Sequence, residues 1–147
     1  MAVPARAAIT PKALKCESVF GGADGVTIAL GLIVSLIGQR HALWHAATGA
    51  GLAELVGMTA GKWLSDAECG LPLALANGGA ACLACVIPAV PSLVAGGAAA
   101  LAAEIVLVAG IAAVISWLRP ERGILAVVQT YGVLVVAAVL CTAAGLL

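Results

Sequence analysis

Residues 69–103 read CGLPLALANGGAACLACVIPAVPSLVAGGAAALAA, and no Asp, Glu, Lys or Arg interrupts them. A helix rises about 1.5 Å per residue, so it needs roughly 20 mostly apolar residues to cross a hydrocarbon core of about 30 Å. This run is too long for one crossing. Pro88 and Pro91 place a turn within it, because proline costs about 3 kcal/mol in a helix interior and restricts the residue before it. The division predicts one helix over 71–90 and another over 94–117.

The same arithmetic, carried outward, predicts helices over 19–38, 42–65 and 123–146. They are bounded by Gln39-Arg40-His41, by Ser65-Asp66-Ala67-Glu68 and by Arg119-Pro120-Glu121-Arg122-Gly123. The runs are about twice the length of a barrel strand and do not alternate, so helices are expected rather than a closed barrel. Residues 1–18 form an N-terminal segment with no apolar stretch of its own, so no cleaved signal peptide is expected. Composition agrees. Of 147 residues 63% are hydrophobic and 10% charged, with a mean hydropathy of +1.17. Soluble domains are about 45–50% apolar and about 25% charged. The expected fold class is all-α, an integral membrane protein of five transmembrane helices. Zero net charge, one Phe and one Tyr give no footing for nucleic acid. Five cysteines, three of them (Cys82, Cys85 and Cys141) inside apolar runs, suggest no disulfide framework.

Orientation is read from Lys and Arg. With five spans, Arg6, Lys12, Lys15, Lys62, Arg119 and Arg122 share one side and Arg40 alone marks the other. This predicts a cytoplasmic N-terminus and an external C-terminus. Trp44, Trp63 and Trp117 fall at span ends. The first two, at opposite ends of one helix, are separated by about 28 Å of helix, close to the thickness of the core.

Carboxylates within spans cost about 2.5–3.5 kcal/mol each near the centre and usually face a bundle interior or a wet path. Asp24, Glu54 and Glu104 are of this kind. Asp24 shares a helical stripe with Thr27, Gly31 and Ser35 at +3, +7 and +11. It either lines a path or caps the helix where Gly21, Gly22 and Gly25 permit bending. Glu54 has Met58 at +4, and a carboxylate beside a thioether offers a mixed hard and soft site for a first-row transition metal. Met58 as plain packing is the other reading. Gly49, Ala53, Gly57 and Gly61 form a small-residue seam on the same helix, including a GxxxG step. Glu104 is either a proton-carrying group or a neutral acid bonded to a neighbour. Asp66, Glu68 and Cys69 either attract cations to an entrance or are a solvated helix end, and Lys62 could pair with Asp66. His41 and His45 have metal-pair spacing but fall at an interface. Cys82 and Cys85 form CxxC inside a span, with no second pair.

GGADGVTIALGLI (21–33) resembles the first-helix signature of the vacuolar iron transporter family, an Asp-Gly pair opening a Gly-punctuated helix. GLAELVGMTAGKWLS (51–65) is similar to that family's second helix. IPAVPSL (87–93) resembles its Pro-rich turn, and ISWLRPERGILAVVQTYGVLVVAAVLCTAAGLL (115–147) its basic loop and last helix. The resemblance implies a homodimer with the pathway between subunits, lined by the first helices. It also implies export of Fe²⁺ and often Mn²⁺ from the cytosol in exchange for protons, with Asp24 and Met58 as metal-path residues. Only Asp66–Gly70 fills the gap where plant and yeast-like members carry a Glu-rich cytosolic domain, so the likeness is to a short form, nodulin-like or bacterial. Glu54 stands four residues before Met58, where the family pattern has Glu about eight before, and Lys62 stands where many bacterial members have Glu.

The expectation is therefore a dimeric Fe²⁺/Mn²⁺ exporter, not an enzyme and without a cofactor, the ion being its substrate. Asp24, Met58 and Glu54 would hold metal, with Thr27, Ser35, Glu104, Asp66 and Glu68 on the pathway or in proton coupling. Its partners would be divalent ions, lipid and a second copy. It would reside in a plasma membrane if bacterial and a vacuole-like membrane if eukaryotic. The alternative from another class is a non-transporting assembly or regulatory partner of the same fold.

Overall fold

The computed structural model describes residues 9–65, 70–119 and 123–145. Its elements are α1 (Pro11–Ser35), α2 (Arg40–Ser65), α3 (Leu71–Val86), a 3₁₀ turn (Ile87–Ala89), α4 (Pro91–Val94), α5 (Gly97–Leu118) and α6 (Ile124–Gly145). No strand occurs among the described residues.

Among the described residues, four helical stretches are long and apolar enough to cross a membrane: Pro11–Ser35, Leu71–Val94, Gly97–Leu118 and Ile124–Ala144. Their outward faces carry exposed Val106, Val114, Trp117, Val128, Val136 and Leu140. Apolar surface on that scale suits lipid rather than water, and the architecture is that of a multi-pass membrane protein. The α2 helix is longer than any of the four but more polar, since it carries Arg40, His41, His45, Glu54 and Lys62.

Two expected boundaries are corrected. The first helix starts at Pro11, not near 19. Thr10 caps it, its Oγ1 accepting from the Ala13 amide at 3.1 Å, and Pro11 takes the first position, where its missing amide is not needed. Much of the supposed N-terminal segment is thus helix. The turn expected at Pro88 and Pro91 is also displaced. Ile87 and Val90 keep right-handed helical angles ahead of the two prolines, each of which opens a new short turn. The chain breaks at Ala95 and Gly96, which are extended, and at Gly97, whose φ of +62° favours glycine.

The α3 helix lies between α1 and α2, and these two packings dominate the fold. Small residues bring the backbones together. A Cβ placed on Gly21 or Gly25 of α1 would overlap the carbonyl oxygen of Asn77 or Ala81 on α3. The α1 helix runs unbroken through these glycines, so they serve close approach, not the bending considered above. On the other side of α3, Gly78 meets Leu55 and Thr59 of α2, and Gly51 meets Cys82 and Val86. The α2 face used is thus Ala47, Gly51, Leu55 and Thr59. The seam of Gly49, Ala53, Gly57 and Gly61 stands two residues off, about 200° around the helix. It is exposed, and a Cβ on Gly49, Gly57 or Gly61 would meet nothing within 4 Å. The core formed by Val26, Ile33, Leu43, Ala47, Ala84, Val108, Ala112, Ile115 and Leu134 is built largely from small and branched side chains. Tyr131 of α6 ties that helix to α5 by donating to the Ala109 carbonyl at 2.8 Å.

Candidate functional site

Close approach of α1 and α2 to α3 brings polar groups from three helices to one junction. Asp24 of α1 and Glu54 of α2 adjoin, their carboxyl groups within hydrogen-bonding reach of each other. Asp24 is exposed at the outer side of the junction, and Glu54 is half-buried. Glu54 Oε2 is buried with no hydrogen-bond partner. Cys85 of α3 stands near enough to interact electrostatically with Glu54 and Asp24. The fully buried Cys85 thiol donates to the Ala47 carbonyl at 3.7 Å.

Two more buried oxygens in the same three-helix packing lack partners: Thr59 Oγ1 on α2 and Asn77 Oδ1 on α3. Thr59 lies against Gly78 and Asn77 against Gly21. Buried polar atoms without partners are few in native proteins and call for an explanation. Here three of them are oxygens capable of facing a cation.

Towards the N-terminal end of α1 the junction is crossed by an ion pair, Lys62 Nζ to Glu17 Oε1 at 3.1 Å. Glu17 precedes Asp24 by two helical turns, about 10 Å, and Lys62 follows Glu54 by about 12 Å. The ion pair therefore stands over the carboxylate pair. A cavity of about 190 Å³ lies beneath it, lined by Cys16, Glu17, Phe20, Lys62 and Asn77.

Of the residues expected from sequence, the structure unites Asp24 and Glu54. Met58 is half-buried on α2, one turn from Glu54 towards Lys62. The stripe of Asp24, Thr27, Gly31 and Ser35 is divided. Thr27 Oγ1 donates to its own helix at Ala23, 2.8 Å away, and lines an apolar cavity facing α6. Gly31 is covered by Cys141 of α6, and Ser35 is exposed at the last turn of α1. Glu104 is elsewhere. It is 4% exposed on α5 and lines a cavity of about 60 Å³ with Arg40 and Ser92, beyond the C-terminal end of α1. It faces its own bundle. Asp66, Glu68 and Cys69 lie outside the described residues. His41 and His45 are exposed on the first turns of α2. Among the described residues, no three His, Cys, Asp or Glu side chains converge to hold a metal ion within one chain.

Sequence reasoning missed Glu17, Thr59 and Asn77. A signal existed for two of them. Glu17 is on the Asp24 face two turns earlier, and Asn77 is the only Asn of the chain, set in its longest charge-free run. Comparison with family models, curated proteins and solved structures finds no match.

Proposed function

We propose that this protein is a membrane transporter that moves Fe²⁺ or Mn²⁺ out of the cytosol in exchange for protons. The observation that carries the reading is the adjoining Asp24 and Glu54 pair, Asp24 on a helix apolar enough to span a membrane, with Glu54 Oε2 buried and unpartnered. Two carboxylates at one depth repel each other unless they share a proton or a cation, which makes proton and metal competitors for the same oxygens. Met58, a turn along α2, supplies a thioether that favours a first-row transition metal over Mg²⁺ or Ca²⁺. In this reading α2 is the fifth span, the N-terminus is cytoplasmic, and two copies pair so that Asp24 from each faces the other. The pairing would bring a second copy of these groups to the ion. The resemblance of residues 21–33 and 51–65 to vacuolar iron transporters supports the same assignment.

The test is Mn²⁺ flux into proteoliposomes carrying a quenched dye, with and without a pH gradient. Wild-type protein is expected to move Mn²⁺ faster with the lumen acidic, and Asp24→Asn to reduce the rate at least tenfold. A folded wild-type protein that moves neither Mn²⁺ nor Fe²⁺ ends the transporter reading.

One observation favours the assembly alternative. The α2 seam is bare of intrachain contact, and such seams let helices approach closely in a membrane. In that case Asp24→Asn is harmless and Gly57→Leu breaks a complex.

A further inference from the structure

The Lys62 to Glu17 ion pair is not used by the carboxylate site described above. Its surroundings are unusual for a helix-end salt bridge. Both side chains are largely withdrawn from solvent, Lys62 being 30% and Glu17 19% exposed. The cavity they share with Phe20, Cys16 and Asn77 has room for a hydrated ion's inner shell. Asn77 lines this cavity and is 3% exposed, and its Oδ1, packed against Gly21, has no hydrogen-bond partner. A carboxylate oxygen and an unpaired amide oxygen are the donors that a hard or borderline cation takes. The cation that pairs with Glu17 is the Lys62 ammonium, on a flexible four-carbon stem.

We infer that the Glu17 and Asn77 cavity is a cation site in its own right, held by the Lys62 ammonium until a divalent ion displaces it. The ammonium is a tethered competitor. It neutralises Glu17 and repels a second cation approaching Asp24 and Glu54 two turns away. A divalent ion arriving from the N-terminal end of α1 meets Glu17 and Asn77 first, and Lys62 must swing out for it to settle. Lys62 thus sets the threshold concentration at which metal enters. The role in entry rests on the transport reading, whereas the site itself does not.

The experiment therefore reads binding, not flux, in a background that removes the deeper pair. The full chain carrying Asp24→Asn and Glu54→Gln is purified in detergent, and its affinity for Mn²⁺ alone is measured by electron paramagnetic resonance. Adding Lys62→Met, or Lys62→Gln should the first variant fail to fold, is expected to lower Kd at least tenfold. Lys62→Arg keeps the charge and leaves Kd within about twofold of the background. Adding Glu17→Gln or Asn77→Ala to Lys62→Met abolishes the gain. An unchanged Kd on removing Lys62 overturns the site, and so does a gain that survives loss of Glu17. Absence of Mn²⁺ flux in wild-type protein would remove the transport reading and leave this result standing.

Discussion

At the scale of single residues, the site is a matter of shared oxygens. Asp24 and Glu54 come from different helices and adjoin, so each changes what the other can hold. If one ion bridges them, their losses cannot add. Asp24→Asn and Glu54→Gln are each expected to slow Mn²⁺ flux at least tenfold, and the double variant to be no slower than the worse single one. Costs that multiply in the double variant mean that the two carboxylates act on separate ions. Met58 answers a different question. Met58→Leu nearly conserves volume, so stability should fall by less than about 1.5 kcal/mol. If the sulfur touches the ion, Fe²⁺ transport drops several-fold relative to Mn²⁺ in a competition assay, because the thioether favours the softer ion. An unchanged ratio assigns Met58 to packing. Asp24 was legible in the sequence because a charge in an apolar run is costly. Asn77 and Thr59 were not, since only the tertiary packing decides whether a neutral side chain finds a partner.

At the scale of helices, the glycines separate into those that touch and those that do not. Gly25 lies against the Ala81 carbonyl, whereas Gly57 faces open space. Gly25→Ala must therefore push α1 off α3 and should cost about 1–3 kcal/mol, as overpacking does. Gly57→Ala adds helix propensity worth up to about 1 kcal/mol and meets no neighbour. Unfolding in SDS titrations should show the first variant less stable than wild type and the second equal or better. A destabilising Gly57→Ala would mean that the α2 seam is buried in the assembly. The sequence pattern showed that small residues recur at steps of four on α2. It did not distinguish the line at 47, 51, 55 and 59 from the line at 49, 53, 57 and 61, because both are small-rich and only α3 chooses between them. The start of the helix expected over 123–146 rested on the charged residues just before it, Glu121 and Arg122, and α6 begins at Ile124, while its expected end at 146 lies outside the described residues. The start of α1 was missed although Thr10-Pro11 is a capping signal, because Lys12, Lys15 and Glu17 lowered the apolarity by which spans were sought. The break at Gly96-Gly97 was missed because two prolines nearby offered a stronger chemical reason that the packing overrode.

At the scale of the whole molecule, the exposure of Asp24 is the fact to be explained. Asp24 stands about 10 Å inward from the Glu17 and Lys62 level, on a helix apolar enough to span a membrane. Facing lipid there costs about 2.5–3.5 kcal/mol on insertion scales, and a second copy laid over the same stripe removes that cost from both chains at once. The neighbouring Phe20 is 64% exposed on the same stripe of α1, and the proposed dimer buries it. Val106, 69% exposed on α5, lies off that stripe and would stay against lipid in the proposed dimer. In a background with the native cysteines replaced, Phe20→Cys is expected to cross-link two copies under mild oxidation in membranes, and Val106→Cys is not. The choice of interface also decides between the two readings of function. A contact through Phe20 and Asp24 puts four carboxylates, two from each chain, around one axis, and an ion there relieves their mutual repulsion. A contact through the α2 seam leaves Asp24 outside any shared site. Cross-linking at Gly57→Cys in place of Phe20→Cys would therefore move the interface to α2 and take the shared metal site with it.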